Sequence, residues 1–184
     1  MHSYVVNQTS PPTAIPSTTS ELMLSHAVWT VGARGALTHP DDGRRLIKDG
    51  SVDLAVLTGE VTKYIGRPIQ AALLMINSLE TWGITQLALD SASALAMSGC
   101  LLETGIPVAI ESSLIHLGSC VAVRGQANVG ETAVAVEVHP EGFPAIEREV
   151  GAGSMDVIQW EAGVDAEIRI WPSGKFDAGL GYGR

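Results

Sequence analysis

The sequence predicts an α+β fold in which an antiparallel sheet wraps around one long central helix. Two observations predict it. From Ile84 to Leu102 no proline interrupts a run dominated by Ala and Leu, the residues that favour helix most. After Pro107 the apolar period changes to two, in short stretches separated by glycine-containing turns. The expected organisation is a flexible arm over residues 1–20, a single domain over 21–171 and a loose tail over 172–184.

The helix comes first because the rest is arranged around it. Ile84, Leu87, Ala88, Leu95 and Leu102 recur at a spacing that stays on one helical face. Leu89, Ala92, Ala96 and Cys100 make the opposite face hardly more polar, and a helix apolar on most sides is buried. Asp90 is the ionisable residue in its middle. With Gln86 and Ser93 it forms one solvated stripe, unless it is paired or functional, as a carboxylate in apolar surroundings must otherwise be.

Ahead of the helix, residues 7–20 are a Ser/Thr/Pro tract without hydrophobic period. Leu22–Val31 reads as a strand, broken by Gly32-Ala33-Arg34-Gly35. Val52–Leu57, β-branched at both ends of its apolar run, reads as another, closed by Thr58-Gly59. Lys63–Pro68 is irregular. Residues 69–79 fit either a helical turn or a strand with a lead-in loop.

Beyond the helix, alternation from Val108 to Leu117, a turn at Gly118-Ser119, and further alternation from Val121 to Gln126 predict two strands. Thr132–His139 is the next, between turns at Gly130-Glu131 and Pro140-Glu141-Gly142. Ile146–Val150 follows, with Met155–Trp160 as its extension past Gly151–Gly153, and Glu167–Trp171 reads as an edge strand. The result is a meander with one wet face.

Composition limits the function. The 184 residues suit one domain with a real core, and 46% hydrophobic against 17% charged residues suits a folded chain. A formal net charge of −9 excludes nucleic acid as a main partner, because phosphate binding needs a basic footprint. It also disfavours an anionic membrane surface. Neither a secretory signal nor the roughly 18 uninterrupted apolar residues of a spanning helix is expected. Cys100 and Cys120 are too few for a disulfide framework and fit a reducing, cytoplasmic setting. No Cys/His cluster has metal-ligand spacing, so no metal is expected.

Asn77-Ser78-Leu79-Glu80-Thr81-Trp82-Gly83 followed by Leu87-Ala88-Leu89-Asp90-Ser91-Ala92 resembles the signature of hotdog-fold acyl-CoA thioesterases of the phenylacetyl-CoA type. That family shows an Asn-x-x-Gly-x-x-His-Gly-Gly loop, then a helix with an aspartate in a Leu-Ala-Asp-Ser-Ala context. Val121–Gly125, Gly130–Val134 and Gly151–Ser154 resemble its last strands. Of the family's His-Gly-Gly, only Gly83 of Thr81-Trp82-Gly83 matches.

The resemblance implies hydrolysis of an acyl-CoA or similar thioester, without a cofactor, by a homodimer or homotetramer. It implies that the Gly83 N–H, at a helix N-terminus, polarises the thioester carbonyl. Asp90 would then act as general base or nucleophile. Asn77, Thr81, Trp82 and Arg124 would contact the acyl-CoA-like substrate. Against these roles stand plainer ones. Gly83 is a helix-start residue, Trp82 a core anchor, Glu80 a first-turn acid, and Arg124 and Arg148 parts of a solvated sheet face. His116 and His139 are surface residues rather than bases. Two other functions fit the same residues: a non-catalytic hotdog protein that binds a ligand or only assembles, and a microcompartment-type shell subunit. The last requires a second helix after Arg124-Gly125.

Overall fold

The computed structural model describes residues 27, 30–32, 34–35, 52–59, 62, 65, 67–92, 94–104, 114–159 and 163–183. These residues form a small α+β protein. The helices with described bounds are α1 (Pro68–Leu79) and α2 (Ala94–Glu103), and the described residues 27, 30–32 and 34–35 are also helical. Its strands are β1 (Leu54–Leu57), β2 (Gly83–Leu89), β3 (Ile115–Ala122), β4 (Arg124–Gly125), β5 (Thr132–Pro140), β6 (Ile146–Gly151), β7 (Ala166–Pro172) and β8 (Phe176–Asp177). The chain divides into two compact units, residues 1–81 with 85–120 and residues 82–84 with 121–184.

In the first unit β1 and β2 run parallel, in register from Leu54↔Gln86 to Leu57↔Leu89. Parallel neighbours need a crossover, and α1 supplies it. Arg67 is extended, and Pro68 starts the helix where its missing N–H costs nothing. The Arg67 N–H donates to Gln70 Oε1 at 3.2 Å. Glu80 closes α1 in the left-handed region, φ 49°, with its N–H donating to the Ile76 carbonyl at 3.3 Å. The helix buries Ala71, Ala72, Leu74, Met75 and Ser78. Ala72 and Met75 meet Ala55 of β1 and Leu87 of β2, with Leu57, Ile76, Leu79, Leu117 and Cys120 packed around them.

The long central helix expected from Ile84 to Leu102 is not there, and the hotdog-like architecture is overturned with it. The segment splits into β2, a turn at Ser91-Ala92, and α2. β2 lies between β1 and β3 in their sheet. Leu87, Ala88 and Leu89 are all buried, as in a strand covered on both faces, so its apolar residues form a run and not an alternation. A short run of that kind also fits a helical period, and tertiary pairing overrides the helix propensity of Ala and Leu. Ile84, assigned to the buried helical face, is 52% exposed. The expected dimer or tetramer loses its basis too, since it rested on hotdog sheets pairing.

Other expectations change. Residues 27, 30 and 31, inside the expected strand Leu22–Val31, are helical. Residues 69–79 are helix and Pro68 belongs to it. Gly118-Ser119 is not a turn but lies inside β3. Residues 155–159 do not extend β6. The arm over 1–20 and the start of the strand expected at Val108 lie outside the described residues.

The second unit follows the sequence more closely. β5 is the centre of a three-stranded antiparallel sheet of order β6-β5-β7. The β5–β6 hairpin turns where expected, with Gly142 at φ 78° and the Phe143 N–H donating to the Pro140 carbonyl at 3.1 Å. β7 then returns to the far side of β5, so the three strands are not a simple meander. The register puts Val134, Val136, Val138, Ile146, Val150, Ile168, Ile170 and Pro172 on one face, with Arg148 opposite Val136 on the edge strand. Val134 and Val138, on the central strand, and Pro172 are the buried ones. A separate cluster joins Ala133, Ala152 and Phe176, with Val123 and Ala127 against it.

The tail expected to be loose carries β8, which pairs with β4 through Arg124↔Asp177 and Gly125↔Phe176. Gly183 N–H donates back to the Phe176 carbonyl at 2.8 Å. The described residues after Arg124-Gly125 contain no helix, so the second helix that the shell-subunit alternative requires is not among them. No helix among the described residues is long and apolar enough to cross a membrane.

Candidate functional site

Asp90 directly follows β2, and the Leu57↔Leu89 pairing brings it beside Thr58 at the end of β1. Its N–H donates to the Leu57 carbonyl at 2.9 Å, continuing the parallel ladder. Its side chain is wholly buried, at 0% exposure. Oδ2 accepts from the Thr58 hydroxyl at 2.7 Å and from the Leu95 N–H at 3.0 Å. Oδ1 accepts from the Ala94 N–H at 2.7 Å. The carboxylate thus covers two free N–H groups in the first turn of α2, where the helix dipole also favours negative charge. Burial pushes its pKa up. The Thr58 hydroxyl and the Leu95 and Ala94 N–H groups together outweigh burial and hold it below the usual carboxylate value. This is a charge fixed in place by three donors, with a lowered basicity.

Gly83 is the first residue of β2 and not a helix-start residue, so no helix dipole acts at its N–H. Its φ of 86° suits glycine, and a Cβ there would lie 3.2 Å from the Ala178 carbonyl oxygen.

Trp82, Gly83 and Arg124 belong to the second unit, and Asn77, Thr81 and Asp90 to the first. Trp82 and Arg124 do meet: the guanidinium carbon lies 3.4 Å from the centroid of the indole. On its other partner, Arg124 Nη2 reaches Asp177 Oδ2 at 3.4 Å. Asp177 Oδ1 accepts from the Gly179 and Gly181 N–H groups at 2.7 and 2.9 Å. Those two N–H groups, and then Arg124, hold its pKa below the usual value. The arrangement is a Trp–Arg–Asp stack that closes the C-terminal glycine loop.

The remaining candidates are engaged in structure or exposed. The Asn77 carbonyl accepts from Arg34 Nε at 3.1 Å and Nη2 at 2.6 Å. Arg34 also pairs with Glu80 at 2.6 Å. The Thr85 hydroxyl donates to Thr81 Oγ1 at 3.4 Å. His139 Nε2 lies 3.0 Å from Glu137 Oε1, and Arg148 pairs with Asp156 at 3.4 Å. His116 is exposed on β3. No group of His, Cys, Asp and Glu among the described residues has the makings of a metal site.

Sequence reasoning missed Thr58 and Asp177. Thr58 carries no local signal, since its partner is 32 residues away. Asp177 did carry one, an aspartate ahead of Gly179 and Gly181, which is the composition of a side chain folding back on its own loop. Compared with known proteins, the chain matches no family model, no curated protein and no solved structure.

Proposed function

We propose that this chain works as a non-catalytic binding or assembly protein in the cytoplasm. The observation that carries the reading is the state of Asp90. A general base or nucleophile must reach water or substrate with a free lone pair. Asp90 is buried, and both of its oxygens accept hydrogen bonds from the Thr58 hydroxyl and from α2. Its geometry suits joining two strand ends to a helix. The free, exposed thiol of Cys100 suits a reducing compartment. The net charge of −9 keeps nucleic acid off the list of partners.

The test is hydrolysis of a panel of acyl-CoA thioesters by the wild type and by Asp90→Asn. The expected result is no release of free CoA above the uncatalysed rate from either protein. Turnover by the wild type that disappears in Asp90→Asn overturns this reading and restores a thioester hydrolase.

A further inference from the structure

The outward face of the β6-β5-β7 sheet holds three rows set by its register. Trp171, Ala135 and Glu149 form one row; Arg169, Glu137 and Glu147 form the next; Glu167 and His139 stand in the third. The charges on this face are unequally matched. Arg169 pairs with Glu167 at 3.0 Å and approaches Glu137 at 4.0 Å, and His139 also approaches Glu137. Glu147 and Glu149 are exposed and have no cation among the described residues. The Glu149 carboxylate accepts a hydrogen bond from the Thr132 hydroxyl at 3.5 Å. Trp171 is 52% exposed. An open concavity of about 440 Å³ is lined by Ala135, Glu137, Glu147, Glu149 and Trp171 of these rows, together with Val136 and Arg148, whose guanidinium is engaged by Asp156 at 3.4 Å.

The middle of the first row is the small Ala135, which leaves a low floor between Trp171 and Glu149. β6 and β7 flank β5, which sets their backbones about 10 Å apart. That gap seats one cationic head group within the ~6 Å of a ring centroid that a cation–π contact needs and within ~4 Å of a carboxylate. The same unit already contains such a sandwich in filled form, with Arg124 between Trp82 and Asp177. Trp171 and Glu149 offer the two outer walls of the same arrangement.

We propose that this sheet face docks a partner polypeptide through an Arg or Lys side chain seated between Trp171 and Glu149. The proposal rests on the binding-protein reading and names the partner's chemistry. Charge complementarity selects the occupant: two carboxylates beside the notch that have no cation among the described residues, on a chain of net charge −9, call for a cation. Tryptophan at the centre of a patch is a common anchor of binding energy, and arginine is a common partner.

The test is titration of the full chain with an octapeptide of alternating Arg and Ser, followed by calorimetry at two salt concentrations. The comparison is between Glu147→Gln/Glu149→Gln and Asp53→Asn/Glu103→Gln, which removes the same two charges from the other unit. The expected result is saturable binding that weakens with salt. It should fall about tenfold or more in Glu147→Gln/Glu149→Gln and in Trp171→Ala, and less than about twofold in the Asp53/Glu103 control. Equal losses in the two double variants would mean that only net charge is being read and would overturn the proposal. So would no binding by the wild type, binding of Ca²⁺ in place of the peptide, or a Trp171-dependent self-association that the peptide leaves unchanged. None of these outcomes touches the non-catalytic reading, which stands or falls on CoA release.

Discussion

The Thr58 hydroxyl donates to Asp90 Oδ2 across 2.7 Å and ties together the ends of two strands 32 residues apart in the chain. The same carboxylate holds the Ala94 and Leu95 N–H groups of α2. One buried side chain therefore fixes β1, β2 and the start of α2 at a single point. The stability of the first unit should respond to it more sharply than to any exposed charge.

Replacing Asp90 by Ala leaves a hydroxyl and two helix-terminal N–H groups without their acceptor. The expected loss is about 2–4 kcal/mol, from the lost helix cap and the unsatisfied donors. Thr58→Val removes one donor and keeps the shape, so about 1–2 kcal/mol is expected. The double variant should lose less than the sum of the two, because both changes break the same bond. Urea denaturation of the four proteins measures all three quantities.

The lowered pKa of Asp90 makes this contribution dependent on pH. Its folded-state pKa lies below the unfolded value of about 3.9. Above about pH 5 both states are ionised and the contribution is present in full. As pH falls further, the unfolded chain takes up the proton first, and the stabilisation is lost as pH passes through the folded pKa. The gap in urea midpoint between wild type and Asp90→Asn should thus be constant from pH 7 to about pH 5 and shrink below pH 4. Asp177 and Glu131, also held low, titrate in both proteins and cancel in the difference. A gap that widens on acidification would contradict this role.

Much of the second unit was legible in the sequence, and the reason is the period of its strands. Thr132–Pro140 and Ile146–Gly151 alternate, one side of their sheet is wet, and the turn at Pro140-Glu141-Gly142 carries its own signal. The middle of the chain was not legible because β2 is covered on both faces. Its Leu87-Ala88-Leu89 shows no alternation, and the Ala-rich residues after it do form a helix, so the two segments merged into one apparent period. The misplaced site followed. Asp90 in a helix interior looks like a lone charge that needs a function, whereas Asp90 between a strand and a helix is an acceptor for the helix that begins after it. Asp90-Ser91-Ala92-Ser93 is a helix-start composition, and that was the readable signal. The partner Thr58 was beyond local reading.

Gly125 tests the second unit. It pairs with Phe176 between β4 and β8, and a Cβ there would run into the Lys175 carbonyl and come within 2.6 Å of the Phe176 ring. The carbonyl belongs to the backbone and cannot swing aside. Gly125→Ala should cost more than about 2 kcal/mol through overpacking, and it should lower the thermal midpoint by several degrees. Gly174→Ala, where a Cβ meets nothing within 4 Å, is the matched control and should change little.

The last prediction concerns the glycine loop that Asp177 closes. Its Oδ1 takes both the Gly179 and Gly181 N–H groups, and Oδ2 faces Arg124, whose guanidinium lies over Trp82. Asp177→Ala removes the acceptor for both amides, so their hydrogen exchange, followed by NMR, should quicken about tenfold or more. Arg124→Ala leaves Asp177 and its two amides in place, so exchange at Gly179 and Gly181 should change little. That variant does uncover the indole of Trp82, and acrylamide should quench tryptophan fluorescence more strongly. Arg124→Lys keeps the charge but loses the flat group that stacks on the ring, so its quenching should resemble that of Arg124→Ala. If Arg124→Ala frees the two glycine amides as much as Asp177→Ala does, then the stack on Trp82, and not the bonds from Asp177, is what holds the loop.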